Sequence, residues 1–112
     1  MVENLEDAKH IAQITQAIEN KFTIEGKWQI KSGKVDVDGN VKLQGRMARF
    51  PVSFGKVSGD FLCNHSGLKT LIGSPTEVGI DYKCQNNLIT TLEGAPKIVG
   101  GWFQCFVRDL CR

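Results

Sequence analysis

Apolar side chains recur at steps of three and four over the first twenty-two residues. The positions concerned are Leu5, Ala8, Ile11, Ile14, Ile18 and Phe22. This spacing places them on one stripe of an α-helix, and Asn4 can cap its first turn. The pattern therefore predicts a helix over residues 5–21. The stripe needs a cover, so we expect the helix to cap the end of the remaining domain; a helix that binds a partner is the alternative.

A short alternating segment follows the helix. Apolar and polar residues alternate over 28–31 and again over 34–37, and Ser32-Gly33 stands between the two runs. A two-residue link that contains glycine is typical of a β-hairpin, because glycine readily adopts the positive φ that such turns need. The sequence thus predicts a hairpin over residues 23–36 that leads into the rest of the chain.

From residue 37 onwards the pattern repeats. Four copies of one short motif begin at Val37, Val57, Val78 and Val99, with starts 20, 21 and 21 residues apart. The last three copies end on Cys63, Cys84 and Cys105, whereas the first ends on Leu43. A period of this length is typical of a solenoid of the leucine-rich type.

Each repeat unit has the parts of one coil. The cysteine, and the residue two before it, would point inward from a short strand. Asn87 stands where an asparagine side chain can hydrogen-bond turn backbone. The aliphatic residues expected to return to the core are Leu68, Leu71, Ile89 and Leu92. We predict an α+β fold, with the N-terminal helix capping a short leucine-rich-repeat-like solenoid that has one parallel strand per coil of about 21 residues.

This organisation predicts a single domain over residues 1–112. It divides into the helix (1–22), the β-hairpin (23–36) and about three and a half solenoid repeats (37–112).

The repeat resembles that of a known group of proteins. Gly59-Asp60-Phe61-x-Cys63, followed by Leu-x-x-Leu-x-Gly-x-Pro-x-x-Val-Gly over 68–79, resembles the short leucine-rich-like repeats in small proteins of tailed bacteriophages. Residues 35–41 and 50–57 resemble the opening segment of that group, so the resemblance covers roughly residues 28–112. It implies the fold and a phage origin. It implies no catalytic residue, because the members are mostly of unassigned function.

Composition and charge narrow the function classes. Hydrophobic residues make up 41% of the chain and charged residues 23%, as in soluble globular domains. The net charge of +2 is too balanced for an electrostatic nucleic-acid binder. The sequence shows neither a signal-peptide pattern nor an apolar run that could span a bilayer. We therefore expect a cytoplasmic protein without membrane contact, whose cysteines are reduced thiols rather than disulfides.

The cysteine column is the first candidate for chemistry. Cys63, Cys84 and Cys105 would stack on adjacent strands, but a linear ladder does not form the tetrahedron that zinc prefers. Leu43 occupies the same column, so we interpret the column as core and expect no metal. Cys111 lies outside it and is the expected exposed thiol. No nucleophile–histidine arrangement or phosphate-binding loop is recognisable, so we expect no catalytic residue, no cofactor and no enzyme activity.

The outward columns of the strands are the candidate binding surface. The candidate partner-binding residues are Asp60, Leu62, Asp81, Lys83, Trp102, Gln104 and Phe106. Exposed aromatic residues such as Trp102 and Phe106 are typical interface anchors, although they could instead fold over the last coil. Asp60 and Asp81 could meet as paired carboxylates for acid–base work, but a solvated sheet face is the favoured interpretation.

These observations favour a non-enzymatic protein-binding module. Given the phage resemblance, we expect a factor that binds and inhibits a host protein, in host takeover or anti-defence. The alternative is a self-assembling or virion-associated structural protein that forms homo-oligomers through its C-terminal coil. Nucleic-acid binding ranks last, because acidic residues interleave with the basic positions Lys42, Arg46, Arg49, Lys69 and Lys83.

Overall fold

The computed structural model describes residues 5–105 of the chain, with side chains described from residue 11 onwards. Helix α1 spans Leu5–Lys21, as the sequence predicts. The eight strands are β1 (Phe22–Lys31), β2 (Lys34–Leu43), β3 (Phe54–Val57), β4 (Phe61–Leu62), β5 (Glu77–Val78), β6 (Tyr82–Lys83), β7 (Ile98–Val99) and β8 (Phe103–Gln104).

The predicted hairpin is present and is longer than expected. β1 follows the helix directly and pairs antiparallel with β2 along their full lengths, from Phe22 opposite Leu43 to Lys31 opposite Lys34. Ser32 and Gly33 both have positive φ, 54° and 78°, which matches the two-residue type I′ turn. β2 is therefore both the second arm of the hairpin and the first rung of the solenoid.

A pair of glycines allows the hairpin to bend. Gly26 lies opposite Gly39, and both adopt positive φ, 130° and 151°. A Cβ on Gly26 would collide with the Asp38 carbonyl oxygen, and one on Gly39 with the Glu25 carbonyl oxygen. Because the two backbones cross so closely, only glycine fits at this point of the hairpin.

The rest of the described chain is a β-solenoid of about three turns. Successive coils pair parallel and in register at a spacing of 21 residues, as in Phe61 opposite Tyr82 and Tyr82 opposite Phe103. The prediction of one strand per coil was wrong, because each coil carries two short strands with a corner between them. β3, β5 and β7 form one row, β4, β6 and β8 form the other, and β2 belongs to both.

The core is built from the inward columns and closed at one end by the helix. Buried aromatic rings stack from rung to rung, with edge contacts between Phe22, Phe54 and Phe61 and a stacked pair of Phe61 and Tyr82 at 5.7 Å. Ile14 and Ile18 of α1 are buried in the same cluster. The C-terminal half of α1 therefore covers the first coil, as the capping interpretation expects.

The coil returns are extended and use the expected aliphatic residues. Leu68, Leu71 and Ile89 are fully buried. Leu92, in contrast, is 41% exposed.

Asn87 ties two coils together. Its side chain is buried, and Oδ1 accepts the backbone N–H of Ser66 (2.9 Å) and Leu68 (3.0 Å). Its Nδ2 donates to the carbonyls of Cys63 (2.8 Å) and Cys84 (2.9 Å). This confirms the predicted bonds from Asn87 to turn backbone and extends them, because three of the four partners lie in the preceding coil.

Candidate functional site

The candidate residues from the sequence lie along one face of the solenoid. Leu62, Lys83 and Gln104 are outward neighbours on β4, β6 and β8 and are all partly exposed. Asp60, Asp81 and Trp102 follow the corner between the two strand rows. Phe106 lies outside the described residues, as does Cys111. We call the outward surface of both strand rows and the corner between them the outer face.

The two aspartates form part of a backbone ladder. Asn40 Oδ1 accepts the N–H of Asp60 (2.8 Å), Asp60 Oδ1 accepts the N–H of Asp81 (3.0 Å), and Asp81 Oδ1 accepts the N–H of Trp102 (2.8 Å). Each polar side chain thus satisfies a backbone donor in the next coil that the corner leaves without a strand partner. Asp60 and Asp81 therefore help to hold adjacent coils together while remaining partly exposed, and the solvated-face and acid–base interpretations stay predictions.

Trp102 ends this ladder and projects into solvent. Its side chain is 69% exposed, while its N–H is held by Asp81 and its carbonyl accepts the Tyr82 N–H at 2.8 Å. Of the two sequence-based interpretations, the structure contradicts folding of Trp102 over the last coil. A rigid backbone thus presents a large, accessible indole.

Two isoleucines join Trp102 on the outer face. Ile98 is 57% exposed and Ile80 is 50% exposed. Ile98 and Trp102 flank the Gly100–Gly101 corner, and the Ile80 carbonyl accepts the Gly101 N–H at 2.6 Å in the coil below. We call Ile80, Ile98 and Trp102 the apolar patch.

Two residues of the patch, Ile98 and Trp102, replace polar side chains of the earlier coils. Ile98 occupies the outward column that holds Asp36, Lys56 and Glu77, and Trp102 occupies that of Asn40, Asp60 and Asp81. Exposed positions that turn from charged to apolar at one end of a repeat indicate a contact surface there. Ile80 and Ile98 lie outside the columns from which the candidate surface was predicted, although alignment of the whole unit shows the change at Ile98.

A groove runs across the outer face towards the patch. It has a volume of about 770 Å³ and crosses β1, β2, β3, β5 and β7. Charged residues line its beginning, namely Lys27, Asp36, Asp38, Lys56 and Glu77, and Ile98 and Gly100 line its end. Two of its carboxylates bond neighbouring groups, since Asp36 Oδ1 accepts the Lys56 N–H and Asp38 Oδ1 accepts the Ser58 hydroxyl, both at 2.9 Å.

The cysteine column lies inside the solenoid. Cys63 and Cys84 are fully buried. The sulfur atoms of Cys84 and Cys105 lie against each other inside the solenoid, and Cys63 is free. In-register stacking explains this contact, because it places the two Cα atoms 4.7 Å apart, the usual spacing of neighbouring strands.

The free thiol and the neighbouring phenol are unsuited to chemistry. Burial raises the pKa of Cys63 to about 12, despite a hydrogen bond from Tyr82 that lowers it. Burial also raises the pKa of Tyr82, and the nearby Cys63 adds to this effect. The Tyr82 hydroxyl lies 2.6 Å from the Ser74 hydroxyl, and both side chains are buried. Both groups remain protonated at neutral pH and contribute to packing.

The comparisons add no relative to this description. Comparison of the chain with protein-family models, curated proteins and solved structures returned no match. Within residues 5–105, no three His, Cys, Asp or Glu side chains are grouped so that they could hold a metal ion. None of the helical segments in that range has the length and apolar character needed to cross a membrane.

Proposed function

We propose that the chain is a non-enzymatic protein-binding module and that the apolar patch is the centre of its contact surface. The observation that carries the proposal is the change of the exposed columns from charged to apolar side chains at Ile98 and Trp102. Isoleucine and tryptophan side chains that stay in water contribute nothing to the stability of the repeat. Their burial against a partner would favour binding by about 25 cal/mol per Å² of apolar surface.

The surroundings of Trp102 suit an interface anchor. Hydrogen bonds on both sides of its peptide backbone fix its position, so little backbone freedom is lost when a partner covers the indole. Leu62, Lys83 and Gln104 border the patch on the second strand row and provide a mixed, partly exposed rim. A central aromatic residue inside such a rim is the usual arrangement of a binding hot spot.

The proposed partner is a protein of a bacterial host or of a phage. This partner class rests on the resemblance of the repeat to small phage proteins, and the proposed consequence of binding is inhibition of a host protein in host takeover or anti-defence. We also propose leucine-rich-like coils, supported by the bonds of Asn87 and the burial of Leu68 and Leu71. A cytoplasmic location stays a sequence-based prediction.

A charge-matched comparison tests the proposed surface. Ile98→Glu/Trp102→Glu places two carboxylates in the patch and lowers the net charge by two. Lys42→Ala/Lys56→Ala lowers the charge equally on the outer face of the earlier coils and serves as the control. Affinity capture from bacterial lysate should return one stoichiometric protein with the native chain and the control, and not with the glutamate variant. Equal capture by all three chains would place the contact surface elsewhere.

A further inference from the structure

The two edges of the sheet differ in their protection. β1 forms one edge, with the exposed charged residues Glu25, Lys27 and Lys31, and α1 packs against it. β7 and β8 end the strand order on the other side, and residues 98–105 contain neither a charged residue nor a proline. Charges and proline are the usual means by which edge strands avoid pairing. The second edge, which we call the β7–β8 edge, lacks both.

The repeat shows which backbone groups this edge presents. In the coils below, the carbonyls of Val57 and Val78 accept N–H groups from the next coil, and the N–H groups of Phe61 and Tyr82 donate to the next coil. By the same register, the Val99 carbonyl and the Phe103 N–H point away from the sheet. Within residues 5–105 no strand pairs with them.

These groups fit the same edge of a second copy. Because the N–H and C=O of one strand residue point to the same side, Val99 and Phe103 can exchange both hydrogen bonds in an antiparallel pair. The two-fold axis then passes at Gly101, so Gly100 faces Trp102 and Ile98 faces Gln104. This register places inward residues opposite inward residues and outward residues opposite outward ones. Val99 and Phe103 continue inward columns, whereas the Gly100–Trp102 and Ile98–Gln104 pairs lie on the outer face.

We propose that two copies of the chain pair antiparallel through the β7–β8 edge, with Val99 of one copy opposite Phe103 of the other. Gly100 has no side chain, which leaves room above it for the partner's Trp102 indole. A two-fold contact closes on itself, whereas joining the β7–β8 edge to the charged β1 edge of another copy would continue into a fibre. The hydrogen bonds of this pairing use only the backbone edge, and the pairing places Ile98 and Trp102 of the apolar patch beside the second copy.

Proline substitutions at the two edges provide a matched test. Val99→Pro removes an N–H that faces the second copy and that no strand within the sheet accepts. Ile30→Pro is the control on the β1 edge. Its N–H also points out of the sheet, because the opposite residue, Val35, donates to Ser53 on the other side. Sedimentation over a concentration series should show a dimer for the native chain and the control. For Val99→Pro it should show a dissociation constant raised by about tenfold or more.

A charge pair tests the register independently of proline. Ile98→Glu/Gln104→Glu places like charges opposite each other twice in the dimer and should weaken it by about tenfold, whereas Ile98→Glu/Gln104→Lys should restore it. A native chain that stays monomeric, equal behaviour of the two charge variants, or assemblies that grow with concentration would each overturn the proposal. A monomer that still captures its partner through the apolar patch would leave the proposed function intact.

Discussion

Removal of the Asn87 amide tests how the coils are held together. Asn87→Ala deletes four hydrogen bonds of 2.8–3.0 Å between one buried side chain and the backbone of two coils. A buried hydrogen bond contributes about 1 kcal/mol net, so the free energy of unfolding should fall by about 4 kcal/mol. Small domains are stable by about 5–15 kcal/mol in total, so this loss would leave the fold marginal.

Chemical denaturation followed by circular dichroism measures this loss. The control is Asn64→Ala in the preceding coil, since the Asn64 side chain makes no hydrogen bond within the described part of the chain and should cost less than about 1 kcal/mol. Asn87→Asp keeps the two accepted bonds but aims a carboxylate at two carbonyl oxygens, so it should be more stable at acidic than at neutral pH. A loss below about 1 kcal/mol for Asn87→Ala would refute the assigned role.

Three further predictions concern the core and the outer face. Burial raises the pKa of Tyr82, so the folded state keeps the phenol proton that the unfolded chain loses near pH 10. Stability is fully present below that pH and falls by up to about 1.4 kcal/mol per pH unit above it. Ultraviolet titration of this single tyrosine should show ionisation only upon unfolding, and a folded tyrosinate near pH 10 would contradict the burial. Asp81→Ala leaves the Trp102 N–H without its acceptor and should lower the free energy of unfolding by about 1 kcal/mol. An unchanged denaturation curve would show that this hydrogen bond does not stabilise the fold. Cys84→Ser places a hydroxyl at a fully buried position of the cysteine column and should lower the free energy of unfolding by about 1–3 kcal/mol, whereas unchanged stability would argue against a tightly packed column.

The helix, the hairpin turn and the coil period are predictable from sequence because each follows from local spacing. The three-and-four series from Leu5 predicts α1, Ser32-Gly33 predicts the turn, and the columns at Cys63 and Cys84 give the period of 21 residues. The division of each coil into two strands is not predictable in this way. Its corner depends on where the backbone of one coil meets the next, as where the Gly59 N–H donates to the Gly39 carbonyl.

The candidate site is predictable only in part. Repeat columns place Asp60, Asp81 and Trp102 in one line, but they do not show whether a carboxylate faces water or the backbone of the next coil. That distinction depends on the distance between neighbouring strands, as does the close approach of the Cys84 and Cys105 sulfur atoms. The exposed apolar position at Ile98 is readable from the same columns, seven residues before Cys105.

Site-specific photo-cross-linking tests the central claim, that the apolar patch is the contact surface, most directly. A photo-reactive phenylalanine analogue replaces Trp102 in one chain and Lys42, on the outer face of the first coil, in a second. Upon illumination in bacterial lysate, we expect position 102 to give one dominant cross-link to another protein, with the yield lost when Ile98→Glu is added, and position 42 to give none. The same cross-links from both positions, or an undiminished yield with Ile98→Glu, would contradict the claim.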